Sequence, residues 1–275
     1  MNLLLNKKHY FHDKSRSSSS LVYLNSTSER ISIEKYNELA ITYKEKKLNK
    51  KVIFFYKKAL DRSILDYGEL NLKTISSIVR LAEAYFEDGM IIESLSLYEK
   101  SLELNQKVFG EKSLEVASSY SALANLHFTE ESLDEAFSFY LQALKIREIN
   151  LGLKHPLTAK SQHELGYFYA AAEEYSLALP LFAQALETRI ELYRLSHPET
   201  AKSYSSLAMC HYHLFNYNDA YKYLRESIRI KELIFPKKDN QVILDKKNLL
   251  EIKKHLLKNK KDAWIKRVYN WIKSF

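Results

Sequence analysis

Two stretches decide the fold: residues 123–144 read LANLHFTEESLDEAFSFYLQAL, and residues 165–186 read LGYFYAAAEEYSLALPLFAQAL. Leucine opens both stretches, a small residue follows it, and alanines and an aromatic residue stand at matching places further along. The two stretches begin 42 residues apart, which indicates a repeated structural unit. One such unit cannot bury its apolar side chains alone, so we expect neighbouring units to stack into one continuous core.

The 42-residue offset runs through most of the chain. The leucine column consists of Leu39, Leu81, Leu123, Leu165, Leu207 and Leu249. A small residue follows the first five of these leucines, namely Ala40, Ala82, Ala124, Gly166 and Ala208. An aromatic residue or histidine comes four places after them, namely Tyr43, Tyr85, His127, Tyr169 and His211. Two later columns are small (Ala59, Ser101, Ala143, Ala185, Ser227) and bulky (Tyr56, Tyr98, Tyr140, Phe182, Leu224).

Each unit is predicted to form two helices. Leu123, Ala124 and His127 fall on one helical face, and the later columns of the same unit fall on a second face with helical spacing. A small residue lets two antiparallel helices approach closely, and the bulky residue beside it fills the wider gap.

Composition excludes several other classes of protein. The 275 residues include only 5 glycines and 4 prolines, too few for the corners of a β-sandwich or a doubly wound α/β fold. Apolar residues make up 46%, which is enough for a core, but no run of about 18 apolar residues predicts a transmembrane helix. A single cysteine, Cys210, excludes an internal disulfide and fits a reducing compartment, so we expect a cytoplasmic protein.

The columns resemble the tetratricopeptide repeat, and the 42-residue period resembles its kinesin light chain class. That class ends a unit in a Leu-Gly…His-Pro…Ala stretch, which here is Leu151-Gly152 followed by His155-Pro156 and Ala159. The resemblance covers about residues 31–236. It implies an all-α fold: an α-solenoid that winds as a right-handed superhelix of helix-turn-helix units, with a C-terminal capping helix. It also implies a non-catalytic adaptor or scaffold that binds protein or peptide segments in its concave groove.

The chain is expected to divide into three parts: a flexible N-terminal tail (1–30), five repeats (31–236) and a basic capping or amphipathic helical segment (237–275). Charge follows a similar division. Residues 1–61 carry 13 lysines and arginines against 6 acids, residues 62–236 carry 17 against 24, and residues 237–275 carry 12 against 4. Leu249 keeps the register, but Leu250 replaces the small residue after it, so a sixth full unit is not expected.

The resemblance also places groove residues on the first helix of each unit. The expected partner-binding positions are Asn37, Lys44, Val79, Phe86, Ser121, Asn125, Phe128, Lys160, His163, Tyr167, Lys202, Ser205, Met209 and Tyr212. Units four and five combine two lysines with aromatic residues, which would suit an extended segment that carries carboxylates and an apolar anchor. Ordinary variation of surface residues would explain the same pattern.

The last stretch of the chain supports two interpretations. Trp264, Val268, Trp271 and Phe275 fall on one face of a helix whose other face is basic. Such a helix can fold back and seal the last repeat by burying these side chains, which is the interpretation we favour. It can instead make peripheral contact with an anionic membrane, or a partner, through residues 260–275, and act as a surface-anchored regulator. Nucleic acid is not expected, because no base-reading motif accompanies the charge.

No catalytic constellation, metal site or cofactor motif is predicted. Cys210, His211 and His213 lie close in sequence, but successive helical residues are about 100° apart and would not converge on one ion. His155 and His197 are interpreted as helix caps next to prolines, and His127 and His211 as core residues with satisfied ring nitrogens. We therefore expect a protein that is not an enzyme.

Overall fold

The protein is an all-helical solenoid in which helices follow one another in packed antiparallel pairs. The computed structural model describes residues 31–193, 196–236 and 239–273, apart from the side chains of residues 263 and 271–273, and these residues contain no strand. The helices within them are α1 (Ile33–Glu45), α2 (Asn49–Tyr67), α3 (Leu72–Glu87), α4 (Ile91–Phe109), α5 (Leu114–Thr129), α6 (Leu133–Leu151), α7 (Pro156–Ala171), α8 (Tyr175–Tyr193), α9 (Pro198–His213), α10 (Tyr217–Ile234) and α11 (Asn240–Lys273).

The first helices of units two to five begin with a side-chain cap at one recurring position. Asn71, Ser113, His155 and His197 stand 42 residues apart, and each side chain accepts a hydrogen bond from a backbone N–H of the first turn. This confirms His155 and His197 as cap residues: each Nδ1 accepts an N–H at 3.2 Å. Such caps satisfy donors that would otherwise have no partner, which fixes where the helices start.

The turn inside each unit also repeats. Its left-handed residues are Lys47, Gly89, Glu131, Glu173 and Phe215. The residue after each of them donates its N–H to the carbonyl of the first aromatic column, as Ser132 does to His127 at 2.9 Å. This six-residue closure ends the first helix and reverses the chain into the second. Four of the five left-handed residues are not glycine, so a search for glycine in the sequence would not have located these turns.

The core follows the predicted columns. Ala40, Ala82, Ala124 and Ala208 are at most 2% exposed, and the later small column is fully or nearly fully buried. The bulky second-helix residues Tyr56, Tyr98, Tyr140 and Leu224 share core clusters with these four alanines, and Phe182 lies in the corresponding cluster of unit four. Neither helix of a pair is stable without its neighbours, so the fold grows by sharing each interface between consecutive units.

Helix α11 corrects the expected sealing by the last residues of the chain. Trp264 is 65% exposed and Val268 is only half-buried, so the prediction that these side chains are buried against unit five is wrong. Val242 and Ile252, in the first half of α11, cover unit five instead. The other two residues of that prediction, Trp271 and Phe275, have side chains outside the described part of the chain.

Candidate functional site

The first helices line one face of the solenoid, but the predicted groove residues differ in their exposure. Five are exposed: Lys44, Asn125, Lys160, Tyr167 and Lys202. Seven are half-buried: Asn37, Val79, Phe86, Phe128, Ser205, Met209 and Tyr212. Ser121 and His163 are buried, at 4% exposure each. The surface open to a partner is therefore narrower than the sequence pattern predicted.

Three groove positions, the buried Ser121 and His163 and the half-buried Ser205, face cations inside the protein. Ser121 and Ser205 accept hydrogen bonds from Arg147 Nη1 at 3.0 Å and Lys231 Nζ at 3.2 Å. His163 is buried beside Arg189, with its Nε2 3.1 Å from Ser206 Oγ. Ser121 and His163 thus lie beneath the exposed groove surface, and their contact with a partner stays a prediction.

These cations belong to a recurring polar column that our sequence analysis missed. Residues 42 apart on the second helices (Ser63, Asn105, Arg147, Arg189, Lys231) each contact a partner 14 residues later (Ser77, Ser119, Ser161, Ser203, Asp245) at 2.5–2.9 Å. The spacing was visible in the sequence. Its members differ in chemistry, however, so a search for a conserved residue type does not find it.

A cavity of about 360 Å³ opens where the first helices of units four and five meet. Its polar lining consists of Lys160, His163, Glu164, Arg189, Tyr193, Glu199 and Lys202. Arg189 pairs with Glu199 at 2.7 Å, while Lys160 lies 3.7 Å from Glu164. Within the described residues, Lys202 has no ion-pair partner. The cavity therefore combines three cations with two carboxylates and leaves one exposed ammonium free.

His163 forms the neutral floor of this cavity. Burial lowers the pKa of its imidazole to about 3, and the positive charges of Arg189 and Lys202 act in the same direction. A histidine with such a pKa is uncharged at neutral pH and contributes a ring contact, 4.9 Å between centroids, with Phe182. The positive character of the site thus comes from the lysines and Arg189.

The three half-buried groove residues of unit five border a second cavity. Ser205, Met209 and Tyr212 line a space of about 270 Å³ together with residues of α10 and α11. In the N-terminal units the groove is more fully occupied: Lys44 Nζ pairs with Glu87 at 2.6 Å, and Val79 and Phe86 pack against the core. The open, chemically distinctive surface therefore lies at units four and five.

The chemistry of the histidines and the cysteine does not indicate a reaction centre. In the described residues no three His, Cys, Asp or Glu side chains gather as a metal-binding group. Cys210 is buried, and burial raises the pKa of its thiol to about 11, so it is protonated and unreactive at neutral pH. His211 stacks on Tyr223, but its buried Nδ1 has no hydrogen-bond partner, so the expectation of a satisfied ring is wrong there.

Beyond the cap, α11 leaves the solenoid surface. Leu257, Trp264, Ile265 and Tyr269 are 48–65% exposed along its second half. Lysines and Arg267 surround them, with Asp262 as the one acid of residues 257–273. No helix among the described residues has the length and apolarity needed to cross a bilayer.

Comparison with known proteins identifies the family. The model of the tetratricopeptide repeat matches residues 73–149 and 151–232, and the chain belongs to this family. Tetratricopeptide solenoids are protein-interaction scaffolds that present an extended concave surface. The fold of the 42-residue units, expected to be of the kinesin light chain type, is similar to that of solved kinesin light chain-like repeat proteins. No curated protein matches the chain.

Three solved structures show how widely this fold is shared. A kinesin light chain-like protein of Podosopora anserina with nearly identical TPR-like repeats is 22% identical, with a TM-score of 0.61, covering 72% of this chain and 94% of its own. BtubC (BKLC) from P. vanneervenii is 18% identical, with a TM-score of 0.65 and coverages of 86% and 90%. Aspartyl phosphate phosphatase F from Bacillus subtilis is 15% identical, with a TM-score of 0.66 and coverages of 95% and 66%. At these identities the likeness concerns the fold alone.

Proposed function

We propose that this protein is a non-catalytic adaptor that binds an extended acidic segment of a partner protein in its concave groove, chiefly at units four and five. The observation that carries the proposal is the cavity between α7 and α9, where Lys202 presents an ammonium group without an ion-pair partner in the described residues. A carboxylate of the partner would form an ion pair with this ammonium group. Charge-assisted hydrogen bonds of this kind fix the register of a bound segment.

The surroundings of Lys202 favour a carboxylate over an uncharged group. Lys160 lies 3.7 Å from Glu164, which is a loose pair, so its ammonium can also face an incoming anion. Arg189, 3% exposed, adds fixed positive charge below the surface. Tyr167, seven residues after Lys160 on α7, is 53% exposed and lies edge-on to Phe128 at 5.9 Å between ring centroids, so it offers an aromatic face to an apolar side chain of the same segment.

The charge of the site can be tested with a defined probe. We expect Lys160→Ala with Lys202→Ala to weaken binding of a fluorescein-labelled peptide of glutamate, glycine and serine by about five- to thirty-fold, since each exposed pair contributes about 0.5–1 kcal/mol. Fluorescence anisotropy measures this affinity, which should also fall as salt rises.

Two controls separate this site from general attraction. A peptide with glutamine in place of glutamate should bind weakly to every variant. Lys145→Ala with Lys222→Ala removes two exposed lysines from second helices and should leave the affinity unchanged. Equal loss in both double variants, or no loss in the first, would place the contact on another surface.

A second candidate function rests on the exposed half of α11. Trp264, 65% exposed, lies among Leu257, Ile265 and Tyr269 and is surrounded by basic residues. A helix with this composition can lie in the surface of an anionic membrane, with its apolar side chains at the boundary of headgroups and acyl chains. The protein would then be a surface-anchored regulator rather than a freely diffusing adaptor.

Vesicles of stated composition test this candidate. We expect the full chain to sediment with vesicles of phosphatidylserine and phosphatidylcholine, less so at high salt, and not with phosphatidylcholine alone. Trp264→Ser with Ile265→Ser should reduce the bound fraction, because it removes the apolar contact and keeps the charge. Vesicle binding that changes neither with salt concentration nor with these substitutions would contradict the membrane function.

A further inference from the structure

The first half of α11 is packed like the first helix of another unit. Leu249 lies in the cluster of Ala208, Leu224 and Ile228, as the column leucines do in earlier units. Asp245 Oδ2 accepts from Lys231 Nζ at 2.7 Å, where Ser203 accepts from Arg189 at 2.6 Å one unit earlier. The concave groove therefore continues past unit five onto α11.

This continuation encloses the cavity of about 270 Å³ between α9, α10 and α11. Ala208, Met209, Leu224 and Ile252 supply its apolar lining, and Asn248 stands at its edge. At about 30 Å³ per molecule, the volume equals that of about nine waters, so it is large enough for one sizeable side chain.

The charges around this cavity favour an uncharged occupant. Its one lining carboxylate, Glu251, is already paired with Lys254 Nζ at 2.9 Å and lies 3.9 Å from His255 Nε2. A charged side chain buried in this cavity would lose its hydration without a free partner, which is costly. An apolar side chain instead gains by leaving water.

We propose that this cavity is a specificity subsite that receives one aliphatic or methionine side chain of the acidic segment bound at Lys202. The inference rests on the proposed groove function and adds the second feature that the partner must carry. It also gives α11 a role in recognition, since Asn248, Glu251 and Ile252 belong to the cavity wall.

The spacing of the two sites on α9 sets the spacing within the ligand. Lys202 and Met209 are seven residues apart on one helix, which is about 10 Å along its axis. An extended segment covers about 10 Å with about three residues. The apolar side chain should therefore stand about three residues from the carboxylate that meets Lys202.

A set of labelled peptides tests both the subsite and its spacing. Each peptide carries a glutamate pair in a glycine-serine background, with one leucine placed one to six residues away on either side, and a matched peptide has alanine there. We expect leucine about three residues away to lower the Kd by about ten-fold relative to alanine, and other spacings to gain less. Fluorescence anisotropy with the full chain provides the readout.

Two variants connect the gain to the cavity. Asn248→Trp should fill the cavity mouth from an exposed position and remove the leucine gain while alanine peptides bind as before. Met209→Gln should reduce the gain. Lys253→Trp is the matched control, because it places the same ring at an exposed position of α11 that does not line this cavity. Circular dichroism melts confirm that all three variants fold.

The outcomes distinguish the subsite from the groove as a whole. A leucine gain that survives Asn248→Trp, or no gain at any spacing while binding still depends on glutamate, overturns the subsite alone. If the wild-type chain shows neither a leucine gain nor a dependence on glutamate, the groove function is overturned as well.

Discussion

At the scale of single residues, the small column shows how one position is set by its neighbour. Four units place alanine after the column leucine, but unit four has Gly166. A Cβ at Gly166 would lie 2.9 Å from the ring of Phe182, closer than side chains tolerate. Phe182 is fully buried, whereas unit five has Leu224 in the same column beside Ala208. Units one to three hold alanine beside a tyrosine ring, so it is the position of the Phe182 ring in unit four, rather than an aromatic residue as such, that leaves no room for a Cβ at Gly166.

Gly166→Ala should therefore destabilise the protein, although alanine normally stabilises a helix by about 1 kcal/mol over glycine. Overpacking of a filled core costs about 1–3 kcal/mol, so we expect a net loss of about 1 kcal/mol in the free energy of unfolding. Urea denaturation measures it.

The matched test is a double-mutant cycle with Phe182→Leu, which recreates the pair of unit five. Gly166→Ala should be neutral or stabilising in that background, because leucine leaves room for the methyl group. Additive effects of the two substitutions would show that the ring does not dictate the glycine.

At the scale of helices, α11 has two halves with different physical roles. The first half buries Val242, Asp245 and Ile252 against unit five. There the carboxylate of Asp245 forms an ion pair with the buried Lys231. Breaking such a buried pair from one side leaves an uncompensated charge and typically costs about 3–5 kcal/mol. Among the described side chains of the second half, the large apolar residues Leu257, Trp264, Ile265 and Tyr269 are exposed.

Two truncations should separate these roles. Removing residues 257–275 should change the thermal midpoint by less than about 2 °C, since the described side chains that it takes away are mainly exposed. Removing residues 240–275 should lower it by at least about 5 °C, because Leu224 and Ile228 lose their cover and Lys231 loses its partner. A large loss from the shorter truncation would show that the last turns seal the solenoid.

At the scale of the whole molecule, stability is shared between neighbouring units and is unequal along the chain. Helix α1 buries only Ile33 and Ala40, whereas α7 buries nine residues. The hydrogen bonds of the polar column also differ along the chain. In unit one they join two hydroxyl groups, Ser63 and Ser77, whereas in units three and four a buried, charged arginine is the donor. An array of nearest-neighbour contacts opens most easily where these contacts are fewest.

Hydrogen exchange should reveal this gradient. We expect the amides of α1 to exchange fastest among the helices α1 to α10 and those of α7 to exchange slowest, measured by mass spectrometry of peptic fragments. Uniform protection from α1 to α10 would mean that the solenoid opens as one cooperative unit.

The sequence alone determined the architecture of this protein, because each repeat presents the same columns at a fixed offset and local contacts decide a solenoid. Leu123, Ala124 and Tyr140 could be placed in the core for that reason, and His155 and His197 could be recognised as caps. Only the tertiary structure decided which groove residues are open. Periodicity assigns a residue to a face of its helix, but a neighbouring helix decides how much of that face is covered, as His163 shows. The exposure of Trp264 has the same cause: its amphipathic pattern was clear, yet the first half of α11 had already covered the end of the solenoid.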